Sequence, residues 1–234
     1  MIFLSIYNRE ELYLNLLAQK THTVKELSEK LFISEPTVRR DLVVLQNKGL
    51  VNCKRGIVTL KTNSPDQRIP LFIRHLEQNE AKQIIAKKAK QHIKDGYVIM
   101  LDASTTAFHI LPLLTEFKNI LVITSGAKTA LESASMGIRT ICTGGEMAIE
   151  SFSYIGPDAE AILNRYNADV AFFSCRGISQ DGVLSDNSTM ENSIRRIMIK
   201  RSKKSFVLCD NSKFGKSYVN ILCHTEDIDG VISN

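Results

Sequence analysis

The chain has 234 residues, 44% hydrophobic and 24% charged, a globular composition that excludes a disordered or collagen-like protein and leaves room for one large or two unequal cores. Its apolar runs fall far short of the roughly 20 residues a membrane span requires, and the opening MIFLSIYNREE lacks the basic segment and cleavage site of a secretion signal, so a cytoplasmic location is expected. The formal charge of +5 is concentrated at one end, because residues 1–61 hold ten Lys/Arg against six Asp/Glu and the rest hold twenty against nineteen.

Five cysteines, odd in number and without a CxxC pair, read as buried thiols rather than a zinc knuckle or disulfide framework. The five histidines share no i,i+4 pair and have no cysteine partner at finger spacing, so neither a metal nor a cofactor is expected.

In chain order, residues 9–20 place Leu12, Leu16 and Leu17 on one side of a helix. Thr23-Val24-Lys25-Glu26 is a capping box that opens a second helix running through Leu31. Ser34 is placed to cap a third helix, with Pro36 in its first turn and Gly49 as its stop. Along that helix Val38, Leu42 and Leu45 share a face, Arg40 points almost opposite, and Thr37 and Arg39 flank it. A recognition helix needs this arrangement: polar N-terminal side chains reach base edges while the apolar face holds to the other helices. Residues 50–53 and 57–60 then alternate around Lys54-Arg55-Gly56, a hairpin with a basic tip suited to backbone phosphates or the minor groove. The bland alternatives are a solvated basic face and a helical bundle that binds protein.

The polar, proline-containing stretch 61–70 reads as a linker between a winged helix-turn-helix domain, residues 1–61, and a larger domain, residues 71–234. A long helix is expected from about Leu71 to Lys94, either packed on its own sheet or coupling domains and subunits. Beyond it, strand-length apolar runs at 97–101, 120–124, 138–142, 169–174, 204–209 and 229–233 alternate with helical stretches, which predicts an α/β domain with a mostly parallel sheet.

Three of these strands end in polar turns: Asp102-Ala103-Ser104-Thr105-Thr106, Thr124-Ser125-Gly126, and Thr143-Gly144-Gly145. A helix is expected after the first, on Phe108, Leu111 and Leu114. Strand ends of a parallel sheet share one edge, where open α/β folds place ligands, and hydroxyls and glycines there suit a phosphoryl group. Ordinary helix capping is the alternative for each turn alone. Lys213 or Arg195 would complete an anion site, although Glu191 and Arg195 also suit an ordinary surface pair one helical turn apart.

The segment TVKELSEKLFISEPTVRRDLVVLQNKGLV, above all Ser34 and Thr37 to Leu42, resembles the DNA-binding region of the DeoR family of bacterial transcription regulators. Asp102 to Thr106, Thr143 to Gly145, Gly156, Asp169, Gly177, Asp181-Gly182, Glu191 and Asp210 to Gly215 resemble that family's C-terminal effector domain, whose fold is related to ribose-5-phosphate isomerase. Ala103, Ser125 and Arg195 depart from the family's usual glycine, asparagine and lysine, and the wing has Gly56 alone where the family pairs glycines.

The resemblance implies a repressor of sugar-metabolism genes that binds double-stranded operator DNA as a homo-oligomer, at least a dimer, and answers to a phosphorylated sugar. The candidate DNA-contacting residues are Thr23, Ser34, Glu35, Pro36, Thr37, Arg39, Arg40, Lys54 and Arg55. The candidate effector residues are Asp102, Ser104, Thr105, Thr106, Thr124, Ser125, Gly144, Gly145, Glu191, Arg195 and Lys213. The competing class is a sugar-phosphate isomerase-like enzyme with Asp102, Asp181 or Glu191 as its proton-transfer base, for which no catalytic set is assigned.

Overall fold

The computed structural model describes residues 6–61 and 78–234, and the chain divides into two compact units, residues 1–77 and 78–234. Most of the expected linker, and the first part of the helix expected from Leu71, lie outside the described residues.

The first unit contains α1 (Ile6–Gln19), β1 (His22–Thr23), α2 (Val24–Leu31), α3 (Glu35–Asn47), β2 (Val51–Lys54) and β3 (Ile57–Leu60). The strands form an antiparallel sheet in the order β1-β3-β2, with Lys54 paired to Ile57 across the hairpin. Val38, Leu42 and Leu45 of α3 meet Leu27 of α2 and Leu17 of α1 in one core. The buried face of α1 differs from the expected one: Tyr13 and Leu14 are buried with Leu17, while Leu12 and Leu16 are only partly so. The aromatic ring takes the inner position because its hydroxyl has a partner there, donating to Asp41 Oδ2 at 3.1 Å. Gly49, at φ +72°, ends the α3 segment as its position predicts.

The second unit contains α4 (Asn79–Ala89), β4 (Val98–Leu101), α5 (Thr105–Phe108), α6 (Leu111–Leu114), β5 (Leu121–Thr124), α7 (Ala127–Ser135) and β6 (Arg139–Cys142). It continues through β7 (Glu146–Ala148), β8 (Ser153–Ile155), α8 (Gly156–Asn164), β9 (Ala168–Phe173), β10 (Gly177–Ile178), β11 (Val183–Asp186), α9 (Thr189–Arg201), β12 (Ser202–Leu208), β13 (Asn220–His224) and β14 (Gly230–Ile232). Six strands form a parallel sheet in the order β14-β12-β9-β4-β5-β6. Along its strands the side chains alternate between two cores: Ile99, Leu101, Val122, Val170, Phe172 and Phe206 face α4 and α6, whereas Met100, Ile123, Ala171, Phe173 and Val207 face α8 and α9. This α/β/α layering matches the fold class read from the sequence.

Two local expectations need correction. The helix after the β4 turn is broken into α5 and α6, because Pro112 has no N–H to bond the Phe108 carbonyl four residues back. The stretch Asp181-Gly182-Val183-Leu184 reads as turn-like in the sequence, but Val183 and Leu184 lie in β11, which pairs antiparallel with β10 and β13 in a separate small sheet.

Candidate functional site

In the first unit, Arg39, Arg40, Lys54 and Arg55 are exposed, with Arg40 on the side of α3 opposite its core face and Arg39 on the flank. Arg39 also pairs with Glu35 at 3.3 Å, one turn earlier. An exposed pair of this kind is weak and breaks at low cost when a phosphate competes. Arg55 (φ +51°) and Gly56 (φ +78°) form a two-residue turn with both residues left-handed, so a bulky cation stands at a hairpin position that favours Asn or Gly.

Three candidate residues are occupied locally. Thr23 caps α2, its hydroxyl accepting from the Glu26 amide at 3.1 Å while its own amide donates to the Glu26 carboxylate at 2.8 Å. Ser34 occupies the N-cap position of α3, but its hydroxyl bonds the Thr37 hydroxyl at 2.9 Å and makes no backbone cap, contrary to expectation. Pro36 lies in the first turn of α3 as expected. Sequence reasoning missed Asp41, which accepts from Arg9 Nε at 3.1 Å as well as from Tyr13 and thereby ties α1 to α3. Lys48, another cation of this unit, is held by Glu10 at 2.7 Å.

In the second unit the sheet changes direction of winding between β4 and β9: β5 and β6 extend one way, β12 and β14 the other. Ligands of open α/β sheets settle beyond the carboxyl ends of strands at such a switch point. Here Asp102, directly after β4, spans it. Its Oδ1 accepts from the Ser104 amide at 3.0 Å, and its Oδ2 accepts from the Ser174 amide at 3.1 Å and from Arg195 Nε at 3.1 Å. Lys213 Nζ donates to the Ser174 hydroxyl at 2.8 Å, so Ser104, Asp102, Ser174, Lys213 and Arg195 form one connected network.

Arg195, only 7% exposed, is committed within it. Its Nη1 donates to Asp186 at 2.9 Å and to Asn192 at 3.1 Å, and its Nη2 lies 3.6 Å from Glu191. Burial works against its charge, yet Asp186, Asp102 and Glu191 together hold the guanidinium above its ordinary pKa. The Glu191 pair therefore exists at helical spacing but is not the surface pair expected; Arg195 anchors carboxylates and offers no spare fork to a phosphate. Asp186, Ser174 and Asn192 escaped sequence reasoning. Their one legible signal is a polar residue ending an apolar run, which Ser174 shows.

Ser104 caps α5, accepting from the Ala107 amide at 3.1 Å, and Thr105 and Thr106 are buried behind it. Thr124 accepts from the Gly126 amide at 3.0 Å. Gly126 is required by close approach, since an added Cβ would stand 3.0 Å from the Ala103 Cα. The next hydroxyls differ: Ser125 (1% exposed) and Thr143 (5% exposed), at the ends of β5 and β6, have side-chain oxygens with no hydrogen-bond partner. Their strand ends are joined, the Thr143 amide donating to the Thr124 carbonyl at 3.0 Å. A buried hydroxyl left without a partner costs about 1–3 kcal/mol, so these two at one sheet edge hold hydrogen-bonding capacity that the chain itself does not use. Gly144 has open space around its α-carbon at φ +62°, whereas Gly145 packs against α8, where a Cβ would meet the Ile155 carbonyl at 2.9 Å. Among the described residues no group of His, Cys, Asp or Glu is arranged to hold a metal ion, and no helix is long and apolar enough to cross a membrane.

Comparison with known proteins agrees with this two-part construction. Residues 9–63 match the sequence profile described as the DeoR-like helix-turn-helix domain, and residues 77–234 match the DeoR C terminal sensor domain. The chain is 34% identical over 236 residues to the HTH-type transcriptional regulator GolR of Listeria innocua, covering 97% of this chain and 90% of that one. It is 31% identical over 229 residues to the L-fucose operon activator of Escherichia coli, covering 97% and 94%. With the transcriptional repressor AccR of Agrobacterium fabrum the identity is 28% over 237 residues, covering 100% and 92%. Among solved structures, the eIF2B delta of Chaetomium thermophilum superposes with a TM-score of 0.51 at 20% identity, over 69% of this chain and 60% of that one. Ribose 5-phosphate isomerase A of Methanocaldococcus jannaschii gives 0.45 at 19%, over 59% of this chain and 55% of that one.

Proposed function

The chain belongs to the DeoR family and is a DNA-binding transcriptional regulator rather than an enzyme, and from that premise we propose that it represses sugar-metabolism genes until a phosphorylated sugar fills the strand-end cradle. Helix-turn-helix units read paired half-sites about one helical turn apart, so two copies of the chain at least hold the operator. In this reading Thr37, Arg39 and Arg40 of α3 enter the major groove, with Ser34, Glu35 and Pro36 at its mouth, Thr23 at the start of α2, and Lys54 and Arg55 on flanking phosphates.

The observation that carries the effector site is the pair of buried, unpartnered hydroxyls of Ser125 and Thr143 beside the switch-point network. The ligand's hydroxyls or phosphoryl oxygens satisfy them, with Gly144 leaving room. Ser104, Thr105, Thr106, Thr124 and Gly145 shape the turns around it, and Lys213, which already bridges to Ser174, supplies positive charge. Arg195 and Glu191 act behind this surface by fixing Asp102, not by touching phosphate.

A thermal-shift screen of the full chain against matched phosphorylated and unphosphorylated sugars tests the proposal, because a ligand that binds only the native state raises its melting temperature. At a hundredfold excess over Kd the gain is about 2.7 kcal/mol. A phosphorylated sugar that raises Tm and releases the chain from its operator supports the reading. A panel in which only unphosphorylated sugars, or none, shift Tm overturns it. The L-fucose operon activator shows by its name that relatives work with either sign, so a reporter fused to the regulated promoter decides between repression and activation.

A further inference from the structure

β9 and β12 run parallel, with Phe173 opposite Val207. Two residues further on, Cys175 and Cys209 leave these neighbouring strand ends into the same core, 3% and 0% exposed. The Cys209 thiol donates to the Asp210 carbonyl at 3.6 Å, and each of the two sulfurs is the largest single influence on the other's ionisation. Adjacent strands lie about 4.8 Å apart, inside the Cα separation of roughly 4.4–6.8 Å that a disulfide spans. The pair also adjoins the cradle: Ser174, which precedes Cys175, holds Lys213, and Asp210, which follows Cys209, lies 3.9 Å from the same ammonium.

We propose that Cys175 and Cys209 are a redox-active thiol pair that closes to an intramolecular disulfide under a two-electron oxidant such as hydrogen peroxide. Cys175 is the attacking sulfur. The neighbouring Cys209 favours its thiolate most, burial opposes this, Lys213 and Arg195 favour it further and Asp186 opposes it; the neighbouring Cys175 and burial push the Cys209 thiol up. Lys213, with 22% of its side chain exposed, is the charged group beside both sulfurs that solvent reaches. The Cys175 thiolate displaces hydroxide from peroxide, breaking the O–O bond, and the hydroxide takes up the proton the thiol released, leaving a sulfenic acid and one water. The Cys209 sulfur then attacks the sulfenic sulfur; the S–S bond forms, the S–O bond breaks, and the departing hydroxide takes the Cys209 proton as a second water. Two thiols lose two electrons and one peroxide is reduced to two waters. On the effector reading given above, the new bond pulls on the strand ends that carry Ser174 and Asp210, displaces Lys213 and weakens the response to the phosphorylated sugar.

Peptide mapping of the full chain carrying Cys142→Ser, which removes an exposed thiol, tests the pairing without any sugar. The protein is treated with hydrogen peroxide, alkylated under denaturing conditions and digested with trypsin. The expected product joins fragment 166–176 to fragment 205–213, two hydrogens lighter than their sum, within one chain, and is separated by dithiothreitol. In Cys209→Ser, dimedone captures Cys175 as its sulfenic acid. Recovery of both fragments unjoined after peroxide, or a link from either to another cysteine, overturns the proposal. Loss of the sugar-phosphate response in reduced protein counts against the effector reading instead, because the mapping does not depend on it.

Discussion

Ser125 and Arg195 carry opposite kinds of buried polarity. Arg195 is held by the carboxylates of Asp102, Asp186 and Glu191, whereas the Ser125 hydroxyl has no partner. Removing an unpartnered buried hydroxyl relieves a desolvation cost, so Ser125→Ala is expected to leave the ligand-free protein as stable as before or about 1 kcal/mol more stable. The same change is expected to shrink the Tm shift produced by the responding phosphorylated sugar. Urea unfolding and thermal shift on one preparation check both, and a less stable variant with an undiminished shift places Ser125 outside the site. Sequence alone showed the turn residues Ser104 and Ser125, because each lies in a short polar turn that follows an apolar run, and it showed the Glu191–Arg195 spacing. It could not show that Asp102, 93 positions from Arg195, takes the guanidinium Nε, since that pairing exists only once β4 and α9 share a layered domain.

Among the elements, the turn between α2 and α3 carries visible strain. Phe32 sits there at φ +54°, ψ +40°, with its ring 96% exposed. A left-handed conformation costs a side-chain-bearing residue about 1–2 kcal/mol, and the ring has no packing to lose. Phe32→Gly is therefore expected to stabilise the first unit by about 1 kcal/mol after the greater entropy of glycine in the unfolded chain is offset. Its urea midpoint measures this, and a fall in the midpoint refutes the strain argument.

In the second unit His109 links two elements, its Nδ1 2.7 Å from the Thr105 carbonyl and its Nε2 2.8 Å from the Asn79 side-chain amide. Burial is the main cause that sets its pKa below the ordinary 6.5. The contribution is complete above pH 6.5 and is lost as pH falls towards the depressed folded value, because the unfolded chain takes up a proton that the folded ring resists. The Tm of the wild-type unit should decline over that window, and His109→Gln should flatten the decline. Parallel wild-type and variant curves would remove His109 from the acid response.

The six parallel strands were legible as apolar runs because both faces of that sheet are covered. β7 and β10, three and two residues long, were not, since no alternation develops over so few positions.

For the whole molecule, the division into a basic end and a nearly neutral remainder follows from charge counts alone, and the two profile matches fall on those parts. The central claim is that the outward cations of α3 and the wing meet a DNA duplex. Fluorescence anisotropy of the full chain on a duplex selected from a random DNA pool, repeated across salt concentrations, tests it most directly. On the proposed two-copy complex, neutralising about six phosphates gives a log-log slope near −5, and Arg40→Ala should make that slope shallower while weakening binding. A slope near zero, or one that Arg40→Ala leaves unchanged together with the affinity, would contradict the account.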